Sequence, residues 1–574
     1  MRLLAQQPFQ NFSAPLSFGD YVSKYRQVLE YFDAVKIGLT ATPALHTTEI
    51  FGDPVFTYSY PEAVIDGWLI DHEPPTRIVT ALSEDGIVWK PGEDVAYYDP
   101  KTGQIDLVHA PDEIRIDVEQ FNRQVITPEF NRVICEELAR HIDPSLPGKT
   151  LIFCVNDDHA DLVTQKLKEA FADLYGSVDD DEVVKITGAA DKPLELIRRY
   201  KNEVSPKVAV TVDLMTTGID VPAICNLVFI RRVKSRILYS QMLGRATRLC
   251  NDLGDGLVKD VFHIFDAVNL YATMAAVSDM KPVVVNPQIS FAQLMGELET
   301  VSAPDQVQTV VDQILAKLQR KRRHLSDSSQ ETVESIAGLS LDEMVQHLKQ
   351  SSPGEAAAWL KQRRAIAAVL DRREGGSQPV LVSYHADELR RVERGYGVSE
   401  AGVAYGKPED YLDSFKRFIE TNLNLVPALL VVTQRPRELT RAQLKELRAA
   451  LDVAGYSETM LRSAWRDATN EDIAASIVGY IRQAALGDAL VPYGERVDRA
   501  MKTILASQPW TAPQRQWLER IGQQLKKETV VDKAALDQGQ FKAQGGFKRI
   551  DKVFGGRIEN LLAEINSAIW PEVS

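Results

Sequence analysis

The sequence predicts an α/β fold with a helix-covered parallel sheet, followed by an all-α region. From Val35 to about Ala267, short β-rich apolar segments alternate with helical patterns, as they do when helices join the strands of a parallel sheet. Beyond about Pro287, strand patterns nearly vanish and helical periodicity dominates. A chain of 574 residues is too long for one hydrophobic core, so we expect roughly three to four domains.

Six segments of the first half have the length and composition of buried strands. They are VKIGLT (35–40), TLIFCV (150–155), EVVKIT (182–187), KVAVTV (207–212), NLVFIR (226–231) and DVFHIF (260–265). Between them the apolar spacing predicts a helix at about 157–171 and another at 235–248. Residues 76–125 interrupt this alternation with the turn-forming stretches KPGED and DPKTGQ, which indicate an inserted β-hairpin region.

The second half carries helix-start patterns in place of strand patterns. Ser340 with Glu343, and Thr440 with Gln443, have the spacing of capping boxes and each pair precedes an apolar helical run. The stretch DRREGGSQP (371–379) indicates a linker or a long turn inside this half.

Composition narrows the possible environment and partners. The longest apolar run, LVPALLVV at 425–432, is too short to span a bilayer, and the first residues lack the apolar core of a signal peptide, so we expect a cytoplasmic protein. The four cysteines form no CxxC pair, and no histidine has a metal-ligand spacing, so we predict no metal site.

A net charge of −14 argues against a nonspecific polyanion binder but does not exclude a local basic groove. Two basic clusters are candidates, KLQRKRR (317–323) and RRVKSR (231–236). The first ends an amphipathic helix, where basic residues usually complement the helix dipole. The second follows a predicted strand and precedes a predicted helix, so it is the better candidate for a functional role.

Three short stretches carry the chemical signal: GLTATP (38–43), VDLMTTGIDVP (212–222) and QMLGRATR (241–248). The first could be a plain strand-to-loop turn. In the second, Thr216, Thr217 and Gly218 follow a strand in a loop whose amides and hydroxyls could hold phosphate oxygens, with Asp220 free to accept a hydrogen bond. The alternative for that stretch is a glycine turn in which Asp220 caps the next segment.

The third stretch spaces Gln241, Arg245 and Arg248 four and three residues apart, so we expect all three on one helix face. A guanidinium is permanently charged and its fork matches phosphate oxygens, which suits it to neutralise charge on a transferred γ-phosphoryl group. The alternative is an exposed helix face with surface ion pairs, each contributing about 0–1 kcal/mol.

Together and in this order, the three stretches resemble motifs III, V and VI of superfamily-two helicases and translocases. The text ALHTTEIFGDPVFTYSYPEAVIDGWLIDHEPP (44–75) and the helical second half more narrowly resemble the R (restriction and motor) subunit of Type I restriction-modification enzymes. This resemblance runs from about Tyr21 onward. TLIFCVNDDHA (150–160) is similar to motif IV, which in such motors grips the DNA backbone.

The resemblance implies a role for each motif residue. Thr40 and Thr42 would couple ATP hydrolysis to DNA movement, and Thr216 and Thr217 would touch DNA. Gly218 and Asp220 would bind near the nucleotide. Gln241, Arg245 and Arg248 would be the catalytic set lining the nucleotide cleft, with the arginines facing the γ-phosphate.

Two parts of the family's nucleotide pocket are missing from the sequence. Neither a GxxxxGK[ST] phosphate loop nor a DEAD-like magnesium box is present; LPGKT (146–150) has Asp143 where the first glycine should be. A PD…ExK nuclease constellation is also lacking. We therefore expect a C-terminal part of an R subunit, in which ATP and magnesium would be cofactors of the complete protein and this chain alone would bind them weakly.

The resemblance implies four regions. Residues 1–60 would be the remnant of a first RecA-like lobe, 61–290 a second RecA-like helicase lobe, 291–375 a helical connector and 376–574 a helical assembly domain. The implied partners are double-stranded DNA and the modification (methyltransferase) and specificity subunits; a split motor would add a separate chain that supplies the first lobe. Two alternatives stay open: a non-catalytic assembly or decoy protein bound to the modification subunit, and half of a split motor. Whether the chain by itself is an enzyme stays open too.

Overall fold

The structure, a computed structural model, describes most of the chain from residue 54 onward. The described residues are 37–39, 54–99, 104–110, 112–176, 179–212, 220–233, 236–254, 256–271, 290–300, 304–321, 325, 327–371, 380–398 and 404–571. Of the predicted strand at 35–40, residues 37–39 are described; they form no strand, and Ile37 and Leu39 are 83% and 97% exposed, so the prediction of a buried strand is wrong for these residues. Most of the predicted first-lobe remnant lies outside the described residues.

A mostly parallel, eight-stranded sheet forms the centre of the first half. Its strands are β1 (Asp71–His72), β2 (Thr76–Thr80), β8 (Lys149–Phe153), β9 (Val183–Lys185), β10 (Val208–Thr211), β11 (Ile224–Phe229), β12 (Val261–Asp266) and β14 (Leu389–Arg394). Their order is β14-β2-β12-β11-β8-β10-β9, and β1 also pairs with β12. Strands β8 to β12 coincide with the five remaining predicted strands, so the α/β prediction for this half is confirmed.

The strands between residues 76 and 125 belong to more than one sheet. Strands β4 (Asp94–Asp99) and β5 (Gln104–His109) form the predicted antiparallel hairpin, which extends through β13 (Val380–Val382) to β7 (Val125–Ile126). Strands β3 (Ile87–Trp89) and β6 (Ile114–Ile116) form a separate pair. Strand β2, in contrast, lies in the main sheet, so the insertion begins later than predicted.

The region beyond residue 376, which the sequence predicts as helical, begins with short strands. Strand β14 extends the main sheet by pairing antiparallel with β2, and β15 (Tyr396–Val398) pairs with β16 (Ala404–Tyr405). The β14 sequence LRRVER lacks the apolar alternation of a half-buried strand because β14 lies at the sheet edge with its side chains largely exposed. Its charged side chains pair with neighbouring elements, for example Arg390 with Glu84 at 2.8 Å.

Within the described ranges, six α-helices flank the sheets of the first half. They are α1 (Tyr60–Ile65), α2 (Ala81–Asp85), α3 (Pro128–His141), α4 (Asp157–Tyr175), α5 (Pro193–Asn202) and α6 (Arg236–Leu243). Helix α4 covers the predicted 157–171 helix; Asn156 caps its first turn by accepting from the His159 amide at 2.8 Å.

Helices dominate the rest of the chain, as predicted. They are α7 (Phe291–Thr300), α8 (Pro304–Lys321), α9 (Asp327–Ala337), α10 (Leu341–Gln350), α11 (Pro353–Gln362), α12 (Ala365–Leu370), α13 (Pro408–Asn422), α14 (Pro427–Gln434), α15 (Arg441–Val453), α16 (Glu458–Thr469), α17 (Ile477–Leu486), α18 (Tyr493–Ala506), α19 (Ala512–Lys527), α20 (Lys533–Leu536), α21 (Gly539–Ala543), α22 (Gly546–Val553) and α23 (Ile558–Ile569). Both predicted capping boxes are present, at the starts of α10 and α15. Among the described helices, none is long and apolar enough to cross a membrane.

The described residues form three separate apolar cores. One fills the α/β region between residues 70 and 270, a second lies among the helices of 291–370, and a third lies between 396 and 570. Leu381 and Leu389 pack against the first core although they follow the second in sequence. The chain therefore returns to the α/β region before it enters the last helical region.

Buried charges connect the α/β region to the last helical region. Glu73, which follows β1 and is 8% exposed, accepts two hydrogen bonds from Arg466 of α16, at 2.9 and 3.2 Å. Burial by itself would raise the pKa of Glu73, but the hydrogen bonds from Arg466 and the positive charges of His263, Arg466 and Arg394 outweigh it and lower that pKa. Arg394 of β14 completes the cluster at 3.3 Å from Glu73.

Candidate functional site

The structure describes four of the nine predicted site residues. These are Asp220, Gln241, Arg245 and Arg248; Thr40, Thr42, Thr216, Thr217 and Gly218 lie outside the described residues. The four that are described come from two segments, one directly before β11 and one at the end of α6 and just beyond it.

The predicted helix at 235–248 ends early, at Leu243. The amides of Arg245 and Ala246 then bond to the carbonyls of Met242 and Leu243, three residues back, which makes a tight turn. Arg248 continues in an extended segment that bridges antiparallel to Leu69. The expectation that Gln241, Arg245 and Arg248 share one helix face is therefore wrong: pairing with the chain before β1 replaces the last helical turn.

The two arginines nevertheless lie together, beside Asp220. The Arg248 Nε atom is 3.6 Å from a carboxylate oxygen of Asp220, and both side chains are about half exposed, 51% and 49%. Burial and the nearby charge of Arg248 lower the pKa of Arg245, against the opposing effect of Asp220. The Arg245 Nε also donates to the Gln241 carbonyl at 3.3 Å.

This arrangement favours binding of an anion. Two guanidinium groups close enough to depress a pKa repel each other, and a single carboxylate offsets one of the two charges. A phosphate oxygen near Arg245 and Arg248 would relieve that repulsion, because a guanidinium donates in a fork that matches phosphate geometry.

A buried lysine that belongs to none of the predicted motifs connects the two segments of the site. The Lys259 ammonium donates to the carbonyls of Pro222 (3.0 Å), Ala246 (2.7 Å) and Arg248 (3.2 Å). Burial lowers the pKa of Lys259 to about 8. No sequence motif marks a single lysine before an apolar strand, so its role is visible only from its contacts in the folded protein.

The basic cluster at 231–236 is largely structural where it is described. The Arg231 Nη1 atom donates to the carbonyls of Val212 (3.1 Å) and Cys154 (3.4 Å), which follow β10 and β8. Arg232 pairs with Glu119 at 3.3 Å. Arg231 therefore links the end of β10, which leads to the Thr216 stretch, to the end of β8, which leads to α4.

The other candidate residues have structural roles. His159 is 3% exposed; its Nδ1 accepts from the Val155 amide at 3.1 Å and its Nε2 lies 2.9 Å from Asn131 Oδ1, while burial lowers its pKa to about 3. Lys149 of the LPGKT stretch is buried at the start of β8, which excludes it as a phosphate-loop lysine. In the other basic cluster, the Lys317 ammonium lies 5.0 Å from the centre of the Phe291 ring.

The cysteines are free thiols, two of them fully buried, Cys135 and Cys154. Within the described ranges, no three His, Cys, Asp or Glu side chains converge as a metal site would require.

Two family models match the chain. Residues 131–250 match the helicase conserved C-terminal domain, and residues 409–570 match the EcoEI R protein C-terminal domain. The first includes the arginine segment, and the second covers most of the last helical region.

Curated relatives include two endonuclease subunits of Type I restriction enzymes. The Type I restriction enzyme EcoKI endonuclease subunit of Escherichia coli K12 is 39% identical over 585 aligned positions, which cover 97% of this chain and 49% of that subunit. The EcoAI endonuclease subunit of Escherichia coli is 31% identical over 241 positions, 40% of this chain and 28% of that subunit. The chain thus spans about half the length of the first relative.

Proposed function

Because the chain is a homologue of Type I restriction enzyme R subunits, with a helicase C-terminal domain and an EcoEI R protein C-terminal domain, we propose that it supplies the second motor lobe of an ATP-driven DNA translocase. The observation that carries this proposal is the pairing of Arg248 with Asp220 beside Arg245, on the surface of the α/β region.

In this proposal Arg245 and Arg248 face the γ-phosphate of ATP, and Gln241 lines the same cleft. Asp220 holds Arg248 in the absence of nucleotide and releases it to the phosphate. An arginine used in this way contributes about 10³–10⁵ in rate because it neutralises charge that develops on the transferred group.

The site residues fit a nucleotide only in part. Arginine forks suit the phosphates, but the sequence contains neither a GxxxxGK[ST] loop nor a DEAD-like box to hold magnesium. We propose that the first motor lobe supplies both. ATP supplies the phosphoryl group and the free energy of hydrolysis, while the residues of this chain bind and orient its γ-phosphate.

The remaining motif residues are assigned to DNA. We propose that Thr216 and Thr217 contact the DNA backbone, that Thr40 and Thr42 couple hydrolysis to DNA movement, and that Gly218 lies near the nucleotide. Double-stranded DNA is the substrate that the motor moves. These assignments rest on the motif resemblance alone.

The last helical region is proposed to hold the motor on its partners. Residues 376–574 would dock on the modification (methyltransferase) and specificity subunits, as the R-subunit resemblance implies. The match of residues 409–570 to the EcoEI R protein C-terminal domain supports this proposal.

A chimera tests the motor proposal. This chain would replace the matching half of the EcoKI endonuclease subunit, and ATP hydrolysis would be measured with and without linear duplex DNA. We expect DNA-stimulated hydrolysis by the chimera and its loss in Arg248→Ala. DNA-stimulated hydrolysis by this chain alone, lost in Arg248→Ala, would reveal a phosphate pocket of its own and refute the proposal.

Docking is tested separately, by analytical gel filtration of the chain with the assembled EcoKI modification and specificity subunits. Co-elution that is retained by a 396–574 fragment, which contains the complete last helical core and leaves β13 and β14 to the α/β region, supports the assembly role. Failure of both the full chain and the fragment to co-elute would contradict it.

A further inference from the structure

Lys259 occupies an unusual position for a lysine. The residue is 3% exposed and lies two positions before β12, where it bridges to Cys250. A lysine ammonium has three N–H donors and no acceptor, and here three carbonyl oxygens lie between 2.7 and 3.2 Å from it. Its hydrogen-bonding capacity is therefore fully used.

The three acceptors belong to the two segments of the candidate site. Pro222 follows Asp220 by two positions, Ala246 follows Arg245 directly, and the third carbonyl is that of Arg248 itself. These segments are separated in sequence by β11 and α6, and the ion pair between Asp220 and Arg248 is both long, at 3.6 Å, and half exposed. Such a pair contributes little to holding them together.

We propose that Lys259 is a positioning residue of the motor: its ammonium fastens the Asp220 segment to the Arg245–Arg248 segment, so that both arginines are already aimed at the γ-phosphate when the nucleotide binds. This inference rests on the proposed function. Its chemical basis is preorganisation, since a misplacement of about 1 Å in a charge-stabilising group can cost about 10²-fold in rate.

The backbone contacts of the Arg248 segment do not join it directly to Pro222. The Arg248 segment pairs with the chain before β1 through the Leu69–Arg248 bridge and through the Ile70 amide, which donates to Thr247 at 2.9 Å. A third contact, from the Lys259 amide to the Cys250 carbonyl at 2.9 Å, holds the end of this segment beside Lys259. None of the three contacts reaches Pro222. The Lys259 ammonium, in contrast, joins both segments through their backbone carbonyls.

The same fold contains a matched control. Lys149 is 6% exposed, burial lowers its pKa to about 8, and its ammonium also donates to three carbonyls, those of Glu203, Val204 and Pro206. None of those carbonyls belongs to the candidate site. Replacing either lysine with Met removes a similarly buried ammonium that bonds to three carbonyls. A difference between the two variants therefore reflects where the lysine lies and not the loss of a buried ammonium as such.

The first measurement is hydrogen–deuterium exchange of the full chain, read by mass spectrometry. Lys259→Met should speed exchange in peptides covering 220–224 and 244–250, and Lys149→Met should speed it in peptides covering 203–207. Exchange at 220–224 and 244–250 that is no faster in Lys259→Met than in Lys149→Met would overturn the proposal. If Lys259→Met does not fold, Lys259→Gln keeps two N–H donors and should show a smaller change in the same peptides.

The second measurement is kcat for DNA-stimulated ATP hydrolysis in the EcoKI chimera. Lys259→Met should lower kcat by about 10- to 100-fold. Lys149→Met should leave kcat within about twofold of the wild type, although it should lower Tm as much as Lys259→Met does. If the wild-type chimera is stimulated by DNA but the two variants have equal kcat, the positioning role of Lys259 is wrong while the proposed function stands. A wild-type chimera that does not respond to DNA would instead count against the proposed function.

Discussion

The Arg248 Nε atom lies 3.6 Å from the Asp220 carboxylate, although a strand and a helix separate the two residues along the chain. Both side chains are about half exposed, so their attraction is screened by water and contributes little to folding. Burial and the charge of Arg248 lower the pKa of the neighbouring Arg245, and groups with perturbed pKa values are common at functional sites. Substitutions at this site should therefore change activity far more than stability.

Arg248→Ala should leave the fold almost unchanged and abolish motor activity. We expect a change in unfolding free energy of about 0–1 kcal/mol and a loss of about 10³-fold or more in DNA-stimulated ATP hydrolysis by the EcoKI chimera. Arg115→Ala is the control, because Arg115 lies 3.5 Å from Asp117 in a similarly exposed pair of the same region. Equal hydrolysis rates in the two variants would contradict a role for Arg248.

Arg466→Met should weaken the connection between the α/β region and the last helical region. The substitution removes the guanidinium that donates two hydrogen bonds, at 2.9 and 3.2 Å, to the buried Glu73 carboxylate. We expect calorimetric unfolding to split into two separated transitions. Arg462→Met, one helical turn earlier in α16, is the control because its partner Asp472 at 2.7 Å lies within the helical region itself. A single unchanged transition in Arg466→Met would disprove this connection.

Asp452→Asn should stabilise the protein at neutral pH. Burial and the charge of Asp71 raise the pKa of Asp452 from 3.8 to about 6. The folded state therefore favours the protonated carboxyl: its contribution to stability is complete below pH 3.8 and is lost as the pH rises through about 6.

The side-chain amide that Asp452→Asn introduces imitates the neutral carboxyl at every pH. The variant should exceed the wild type by up to about 3 kcal/mol above pH 6, and the advantage should shrink towards pH 4. Tm measured between pH 4 and 8 tests this prediction, with the exposed Asp413→Asn as control. An advantage that does not vary with pH would exclude titration of Asp452 as its cause.

Arg482→Met should destabilise the last helical region strongly. Arg482 is 1% exposed, and its guanidinium donates to Asp488 at 2.7 Å and to the carbonyls of Val432, Thr433 and Pro571. Removing the guanidinium leaves these buried acceptors without a donor, which should lower the free energy of unfolding by about 3–5 kcal/mol. Urea unfolding followed by circular dichroism measures the change. Arg499→Met, at a 71% exposed side chain paired with Glu495, should cost no more than about 1 kcal/mol.

Local sequence patterns predicted what depends on local physics. Strands β8 to β12 are rich in apolar residues because they are largely buried in a parallel sheet, and helix α4 has an apolar stripe at helical spacing. The capping boxes at Ser340 and Thr440 could be recognised because a cap involves residues three positions apart.

Patterns failed where a distant segment decides the local structure. The QMLGRATR stretch has helical spacing throughout, yet its last residues pair with Leu69 and Ile70, so Arg248 lies in an extended segment. Strand β14 carries charges at four of its six positions because it lies at a sheet edge, where water and opposite charges replace apolar neighbours.

By itself, the sequence determined the fold class, the order of its motifs and the type of chemistry that two arginines and an aspartate can perform. The tertiary structure alone decided that Arg248 meets Asp220, that Lys259 joins their two segments, and that Glu73 is bound by Arg466. The physical reason is that propensity, capping and periodicity act over a few residues, whereas these contacts join positions far apart in the chain. Only packing of the complete chain brings such groups within hydrogen-bonding distance.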